Sequence, residues 1–283
     1  MNGTVDLHTH SKASDGSFTP SGLIRYAAEK GLRGLALTDH DTVDGIPEAL
    51  EEVDKLGMAF IPGVEISADY ETEMHILAYF TRDTYRNIAG TLSSLRRNRE
   101  ERNPKILRKL SEMGMHITVE ELDRKAAGSV AGRPHIAQLL LEKGHVRSFA
   151  EAFERYLGDG KPAYFKKDKL SPEESIRQVL QAGGIPVLAH PILMRMSYGR
   201  LDALVGRLAE SGLKGLEAYY VENTRDDTGN LLRLAVKYRL IPTGGSDFHG
   251  TFKHDIEIGI GRGNLEVPFS SFESLKKALE DGM

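Results

Sequence analysis

The stretch DLHTHS, residues 6 to 11, sets two histidines two apart near the start of a 283-residue chain that contains only ten. In an extended strand residues i, i+2 and i+4 share a face, so VDLHTH would turn Asp6, His8 and His10 one way and Val5, Leu7 and Thr9 the other. That pattern is an apolar row set against a core and a polar row able to hold a metal ion. Alone, an HxH pair is as readily surface or core decoration, so the chemistry depends on what else the chain brings to the same place.

Four further segments end an apolar run in histidine or acid. LTDHDT contributes Asp39 and His40, PGVEIS contributes Glu65, VLAHP contributes His190, and GGSDFH contributes Asp247 and His249. In parallel α/β folds functional groups collect at the carboxyl ends of strands, which would put these beside His8 and His10. His75 in EMHILAYF joins them if a hairpin brings it to the same mouth, and Asp15 in SDGS is a plain turn residue unless that company recruits it. The other four histidines, His116, His135, His145 and His254, fall in loops or in a helical stretch. Imidazole with carboxylate and no sulfur suits Zn, Mn or Fe(II) better than Mg or Ca. So many ligating side chains exceed the needs of one ion and suit a cluster of two or three. Asp6 reads as a group that orients a histidine rather than as a ligand. DHDTV also matches the DxDxT/V pattern of haloacid-dehalogenase-type phosphatases, but that leaves the other histidines unexplained and would require the segment to close the first strand.

The elements that must position these groups alternate. FTPSGLIRYAAEKG reads as a helix with Thr19 as cap, Pro20 at the first position and Gly31 as stop. LRGLALT is a buried strand, IPEALEEVDKLG a helix stopped by Gly57, MAFIPGVEISA a strand, and HILAYF its hairpin partner. From 85 to 169 the rhythm changes: TYRNIAGTLSSLRRNREERNPKILRKLSEMG and PHIAQLLLEKG have helical spacing with no convincing strand between them. LSPEESIRQVLQAGG then offers a capping box, Ser171 with Glu174, and Pro172 in the first turn. Strand and helix resume with IPVLAHP, LKGLEAYY and LIPTGGSDFHG. The expected architecture is an α/β barrel or parallel sheet over 1-84 and 170-283, interrupted by a helical insertion at 85-169.

Composition bounds the function. With 40% hydrophobic and 28% charged residues the chain has an ordinary globular make-up. No apolar run approaches the roughly 20 residues of a membrane span, and MNGTVDLHTH lacks the basic-then-apolar order of a signal peptide, so a cytoplasmic location is expected. The absence of cysteine excludes disulfides, thiolate metal sites and a cysteine nucleophile. A net charge of -4 gives no global field for long nucleic acid but leaves room for a local basic pocket. The run LRRNREERNPKILRK could extend such a pocket for an oligonucleotide, or be the wet, salt-bridged face of a helix.

Taken in order, DLHTHSKASDG, LTDHDT, GVEIS with MHIL, AHP and GSDFH resemble the motifs of the polymerase and histidinol phosphatase (PHP) family, from position 6 to 250. The resemblance implies a distorted (β/α)7 barrel with a trinuclear metal site in its mouth. It assigns His8, His10, Glu65 and Asp247 to one ion, Glu65, His75 and His190 to a second, and Asp15, His40 and His249 to a third. AGRPHIA (131–137) and GKPAYF (160–165) are similar to segments of the small stand-alone members that remove the 3′-phosphate from nucleoside 3′,5′-bisphosphates such as pAp, some of which also trim short RNA from the 5′ end.

The expected enzyme is therefore a phosphoesterase using Mn, Fe or Zn on a small nucleotide or short oligonucleotide, with the insertion capping its active site. Glu65, Asp247 and His249 would act through a hydroxide held between the ions that share Glu65. Arg133, Lys161, His135 and Arg195 are candidates for a second phosphate, Arg133 first because guanidinium can grip phosphate through two parallel bonds. Where several relatives read AHPGR this chain reads AHPILMR, which moves the arginine, Arg195, two residues on. A histidinol-phosphate phosphatase would share the metal set without needing a second phosphate pocket, and an idle PHP binding module would be expected to have lost ligands. A C–N hydrolase on a related barrel is out of keeping with the motif order. Arg133→Ala should lower kcat/KM for pAp roughly tenfold more than for 3′-AMP, a charge-assisted bond being lost from only one of them; equal losses would remove Arg133 from the pocket.

Overall fold

The computed structural model describes residues 4–126, 131–165 and 169–282; the side chains of 96–101, within the basic run, lie outside the described residues. The chain divides into two compact units, Met1–Leu92 with Lys169–Met283, and Ser93–Asp168.

In the first unit seven strands lie side by side in the order in which the chain makes them. They are β1 (Val5–Asp6), β2 (Gly34–Leu37), β3 (Ala59–Ala68), β4 (Met74–Tyr79), β5 (Ile185–Leu188), β6 (Gly215–Tyr220) and β7 (Ile241–Gly245). All neighbours are parallel except β4, which runs against both β3 and β5. The two outer strands meet: Leu7 N donates to Gly244 O at 3.1 Å and Asp247 N to His8 O at 2.9 Å, so the sheet curls into a nearly closed barrel. Of the expected six-residue strand VDLHTH only Val5 and Asp6 join the ladder; beyond them the chain is held by single contacts, Thr9 bridging Phe248 and its hydroxyl donating to Ala36 O at 2.6 Å.

Strand alternation divides the core. Leu77 and Val187 join Val5, Leu7, Ala36, Ile61 and Tyr79 in one cluster, closed off by Phe272 and Leu275 of the helix Phe269–Glu280. Side chains from five strands can share one cluster only inside the curve of the sheet. Their neighbours Ile76 and Leu188 point the other way, into a layer with Leu204, Leu208, Leu231 and Leu234 of the helices Tyr198–Glu210 and Arg225–Tyr238. Each fully buried leucine contributes about 1.5–3 kcal/mol to holding helix on sheet.

Local signals explain the helix starts. Thr19 Oγ1 accepts from Gly22 N at 3.1 Å ahead of the helix Pro20–Glu29, and Ser171 Oγ accepts from Glu174 N at 3.1 Å ahead of Pro172–Gln181. The expected capping box at Ser171 is half formed. Glu174 turns its carboxylate to Gln178 Nε2 (2.8 Å) and Arg177 (2.8 Å), partners one turn on that replace the reach back to the cap.

The second unit has its own apolar cluster, including Ile106, Leu110, Leu122, Ile136 and Leu140, and no strand among its described residues. No described helix of the chain is long and apolar enough to cross a membrane.

Barrel closure depends on Gly245, where an added Cβ would sit 2.4 Å from both the Cβ and the backbone N of His8. Gly245→Ala should cost roughly 1–3 kcal/mol in urea denaturation, since neither strand can yield. Gly199→Ala, on the helix Tyr198–Glu210 with nothing within 4 Å of the new methyl, should be neutral or stabilising.

Candidate active site

The groups with chemistry lie at one end of the barrel. His8 and His10 follow β1, Asp39 and His40 follow β2, Glu65 is on β3, His190 follows β5, and Asp247 and His249 follow β7. His75 is the second residue of β4, and because that strand is reversed its amino end lies beside the carboxyl ends of the others, with His75 paired across to Ser67. Two of these residues have left-handed backbones, His190 at φ 23° and Asp247 at φ 55°. Such geometry is costly for residues with a Cβ and persists where the surroundings dictate it.

Glu65, wholly buried, is the centre. Its Oε2 lies 3.2 Å from His8 Nε2, 3.3 Å from His10 Nε2 and 3.1 Å from His40 Nδ1. Its Oε1 lies 2.7 Å from His75 Nδ1 and 2.8 Å from His190 Nε2. Asp247 Oδ1 is 3.1 Å from His10 Nε2 and 3.7 Å from His8 Nε2, and Asp15 Oδ1 is 3.3 Å from His249 Nε2. Three sets of atoms converge closely enough to hold a metal ion: His8, His10, Glu65 and Asp247; His10, Asp15, His40 and His249; and His40, Glu65 and His75. His190 adjoins the last set, its Nε2 being 3.2 Å from His75 Nδ1. All the ligand positions expected from the sequence are thus gathered. The grouping differs in that His10 leans toward Asp15 and His249 as well, and His40 toward Glu65.

Charge balance shows what the cluster is built around. His8 Nε2, both ring nitrogens of His10 and Glu65 Oε2 are buried with no hydrogen-bond partner. Each such atom costs about 1–3 kcal/mol unless something satisfies it. Burial alone would push Glu65 up, yet the imidazoles around it hold its carboxyl well below the usual range. Burial would push the histidines down, yet Glu65 and Glu217 hold His8 well above its ordinary value, and Asp247 with Glu65 raises His10 to about 9. At His40 burial prevails, with the charges of His10 and His75, and pushes it down to about 4 against the pull of Glu65. Ionised carboxylates kept out of water and surrounded by ring nitrogens require positive charge among them, and divalent cations fit that donor set.

Several supporting groups were not singled out from the sequence. Glu217 on β6 is fully buried, its Oε1 3.1 Å from His8 Nδ1 and its Oε2 accepting from His190 N at 2.6 Å. It places the His8 proton on Nδ1 and leaves Nε2 aimed at Glu65 and Asp247. One acid inside the apolar strand GLEAYY was the available signal. Tyr220 Oη and Lys253 Nζ both donate to Asp247 Oδ2, at 3.1 and 2.7 Å. Asp6 differs from expectation: it orients backbone rather than a ring, accepting from His8 N (3.3 Å), Ser246 N (2.9 Å) and Gly259 N (2.8 Å) as well as from the Ser246 hydroxyl. Asp39 is a clasp, accepting from Ser11 N and Oγ at 2.7 Å each and from Ser14 Oγ at 2.6 Å; its oxygens hold the loop that carries Asp15.

The proposed phosphate donors fall in both units. In the second unit, Arg133 Nη1 donates to Leu157 O at 2.9 Å with its guanidinium 5.3 Å from the centre of the Tyr164 ring, His135 Nδ1 accepts from Gly132 N at 3.2 Å, and Lys161 is exposed. In the first unit Arg195 is exposed after the turn Pro191–Met194.

A nearly closed mixed barrel with a buried imidazole–carboxylate cluster at its strand ends defines a class of metal-dependent phosphoesterases. The PHP domain family matches residues 6–168, and the chain belongs to that family. It is 35% identical to the 5′-3′ exoribonuclease Rnm of Escherichia coli, over 86% of this chain and 84% of that one. It is 33% identical to the phosphoribosyl 1,2-cyclic phosphate 1,2-diphosphodiesterase of Eggerthella lenta (90% and 97%) and 30% identical to the 3′,5′-nucleoside bisphosphate phosphatase of Chromobacterium violaceum (90% and 90%). A solved structure from Bifidobacterium adolescentis, described as a candidate metal-dependent phosphoesterase, superposes with a TM-score of 0.71 at 30% identity, covering 97% of this chain and 96% of the other.

Glu217→Gln should weaken Mn(II) binding by roughly 10–100-fold in calorimetric titration with the circular dichroism spectrum retained. Unchanged affinity would mean that His8 needs no partner to hold its tautomer.

Proposed function

We propose that this protein hydrolyses the 3′-phosphate of nucleoside 3′,5′-bisphosphates, converting pAp to AMP and phosphate, with short 5′-phosphorylated RNA as the nearest further substrate. The observation that carries the reaction class is the convergence of five imidazoles on the Glu65 carboxylate, with buried nitrogen and oxygen atoms left unpaired among them. A donor set of nitrogen and oxygen without sulfur fits Mn, Fe(II) or Zn. His8, His10, Glu65 and Asp247 would hold one ion, Glu65, His75 and His190 a second, and Asp15, His40 and His249 a third. When bound, such ions acidify water and neutralise phosphoryl oxygens.

The chain's own groups prepare that chemistry. Glu217 sets the tautomer of His8 and ties down the backbone of His190. Tyr220 fixes one oxygen of Asp247 so that the other faces the histidines, and Asp39 holds the loop that presents Asp15. Asp247 and His249 act by holding, not by attack.

Support for the substrate comes from the relatives. The three relatives are an exoribonuclease, a phosphoribosyl cyclic phosphate diphosphodiesterase and a nucleoside bisphosphate phosphatase, all enzymes that break phosphate esters of ribose compounds. Arg133, Lys161, His135 and Arg195 are proposed as donors to that further phosphate on their chemistry and their sequence context alone.

With Mn(II), phosphate release from pAp should exceed that from AMP and histidinol phosphate by roughly tenfold or more in kcat/KM, as a site that pairs a second phosphate discriminates against ligands lacking it. A chelator should abolish turnover and added Mn(II) restore it. Preference for histidinol phosphate would overturn the substrate assignment, and a short 5′-phosphorylated RNA cut faster than pAp would make the nuclease activity the main one.

A further inference from the structure

The turn after β7 carries a cation that the reaction outlined above does not use. Lys253 ends the short helical turn Gly250–Lys253, with its ammonium 2.7 Å from Asp247 Oδ2 and its side chain 38% exposed. The backbone beneath it is clamped to the loop after β1. Ser17 N donates to His249 O at 3.0 Å, Thr251 N donates to Ser17 Oγ at 2.8 Å, and Gly250, at φ 69°, leaves space where a Cβ would lie 2.0 Å from Ser17 Oγ. The lysine is thus anchored at its root, with a side chain that is partly open to solvent.

Asp247 does not need this lysine for orientation. Tyr220, 5% exposed, already donates to the same oxygen, and Asp247 N is bonded to His8 O. Among the described residues, no other lysine or arginine places its charged head on one of the clustered carboxylates Asp15, Glu65 and Asp247. An ammonium has three donors and Asp247 takes one. A terminal phosphate brings about two negative charges at neutral pH, its second pKa being near 6; a phosphodiester brings one.

We propose that Lys253 is a specificity-determining residue that donates to a non-bridging oxygen of the phosphoryl group, biasing the site toward phosphomonoesters over phosphodiesters. This rests on the phosphoesterase reading and narrows it to the monoester.

The test uses the full chain loaded with Mn(II), with p-nitrophenyl phosphate as monoester and bis(p-nitrophenyl) phosphate as diester, the diester being read as a competitive inhibitor if it binds without being cut. Lys253→Met should lower the monoester-to-diester preference roughly 10–100-fold, the range for a bond to a charged group. Lys253→Arg should restore most of it, and Mn(II) content and thermal unfolding should match wild type. If Lys253→Met fails to fold, Lys253→Gln, which keeps two donors without the charge, is read by the same ratio. An unchanged preference, or equal losses on both esters accompanied by loss of Mn(II), would overturn the proposal and leave Lys253 a positioning residue for Asp247. A wild-type protein inactive on both esters would instead overturn the phosphoesterase reading, and this proposal with it.

Discussion

A single buried carboxylate, Glu65, is surrounded by imidazoles arriving from four other strand ends, and the arrangement of the barrel mouth follows from satisfying it. An ionised carboxylate removed from water costs several kcal/mol unless charge of the opposite sign surrounds it. No local stretch of chain can provide that, because one strand end offers at most two side chains to the same point. The strands must therefore curl until their ends face one another. The hydrogen bonds from β1 to β7 complete that curl, and the reversed β4 turns what would have been a distant histidine into a near one. Barrel closure and site assembly are one event, described from the backbone or from the side chains.

Around that centre the polar residues serve two ends at once. Glu217 bonds a ring nitrogen of His8 and the backbone of His190; Asp6 bonds the backbone before both His8 and Asp247; Asp39 bonds a loop on one side of the mouth. These bonds explain why His190 and Asp247 can stay in left-handed backbone conformations: the amide of each is held, by Glu217 Oε2 and by His8 O. Strain at a site lasts when its surroundings over-determine it.

Three relatives of similar identity carry three different activities, so identity does not rank substrates. Fold and cluster set the reaction class, while substrate choice belongs to the groups at and beyond the rim. Lys253 is the group on the barrel proposed for that role, and Arg133 of the helical unit, bonded to Leu157 O and 5.3 Å from the centre of the Tyr164 ring, is a proposed phosphate donor.

Much of this was legible in the chain. His8, His10, His40, His190, Asp247 and His249 announce themselves because each ends an apolar run, and the two-residue period of a strand decides which face they share. The Thr19 cap and the β3–β4 hairpin are equally local, set by residues within a few positions of one another. What was not legible involves choice among partners. Glu174 has the spacing for a capping box yet turns to Arg177 and Gln178; Asp6 has the chemistry to orient a ring yet bonds Ser246 and Gly259, at least 240 positions away. Glu217 and Lys253 carry no motif, and their importance arises from lying within 3.1 Å of His8 and Asp247. The sequence by itself determined which residues could ligate, which runs would be strands and helices, and the family to which the barrel belongs. Only the tertiary structure decided which donor meets which acceptor, because a hydrogen bond or ion pair is set by angstrom distances that exist only once the strand ends have closed on one another.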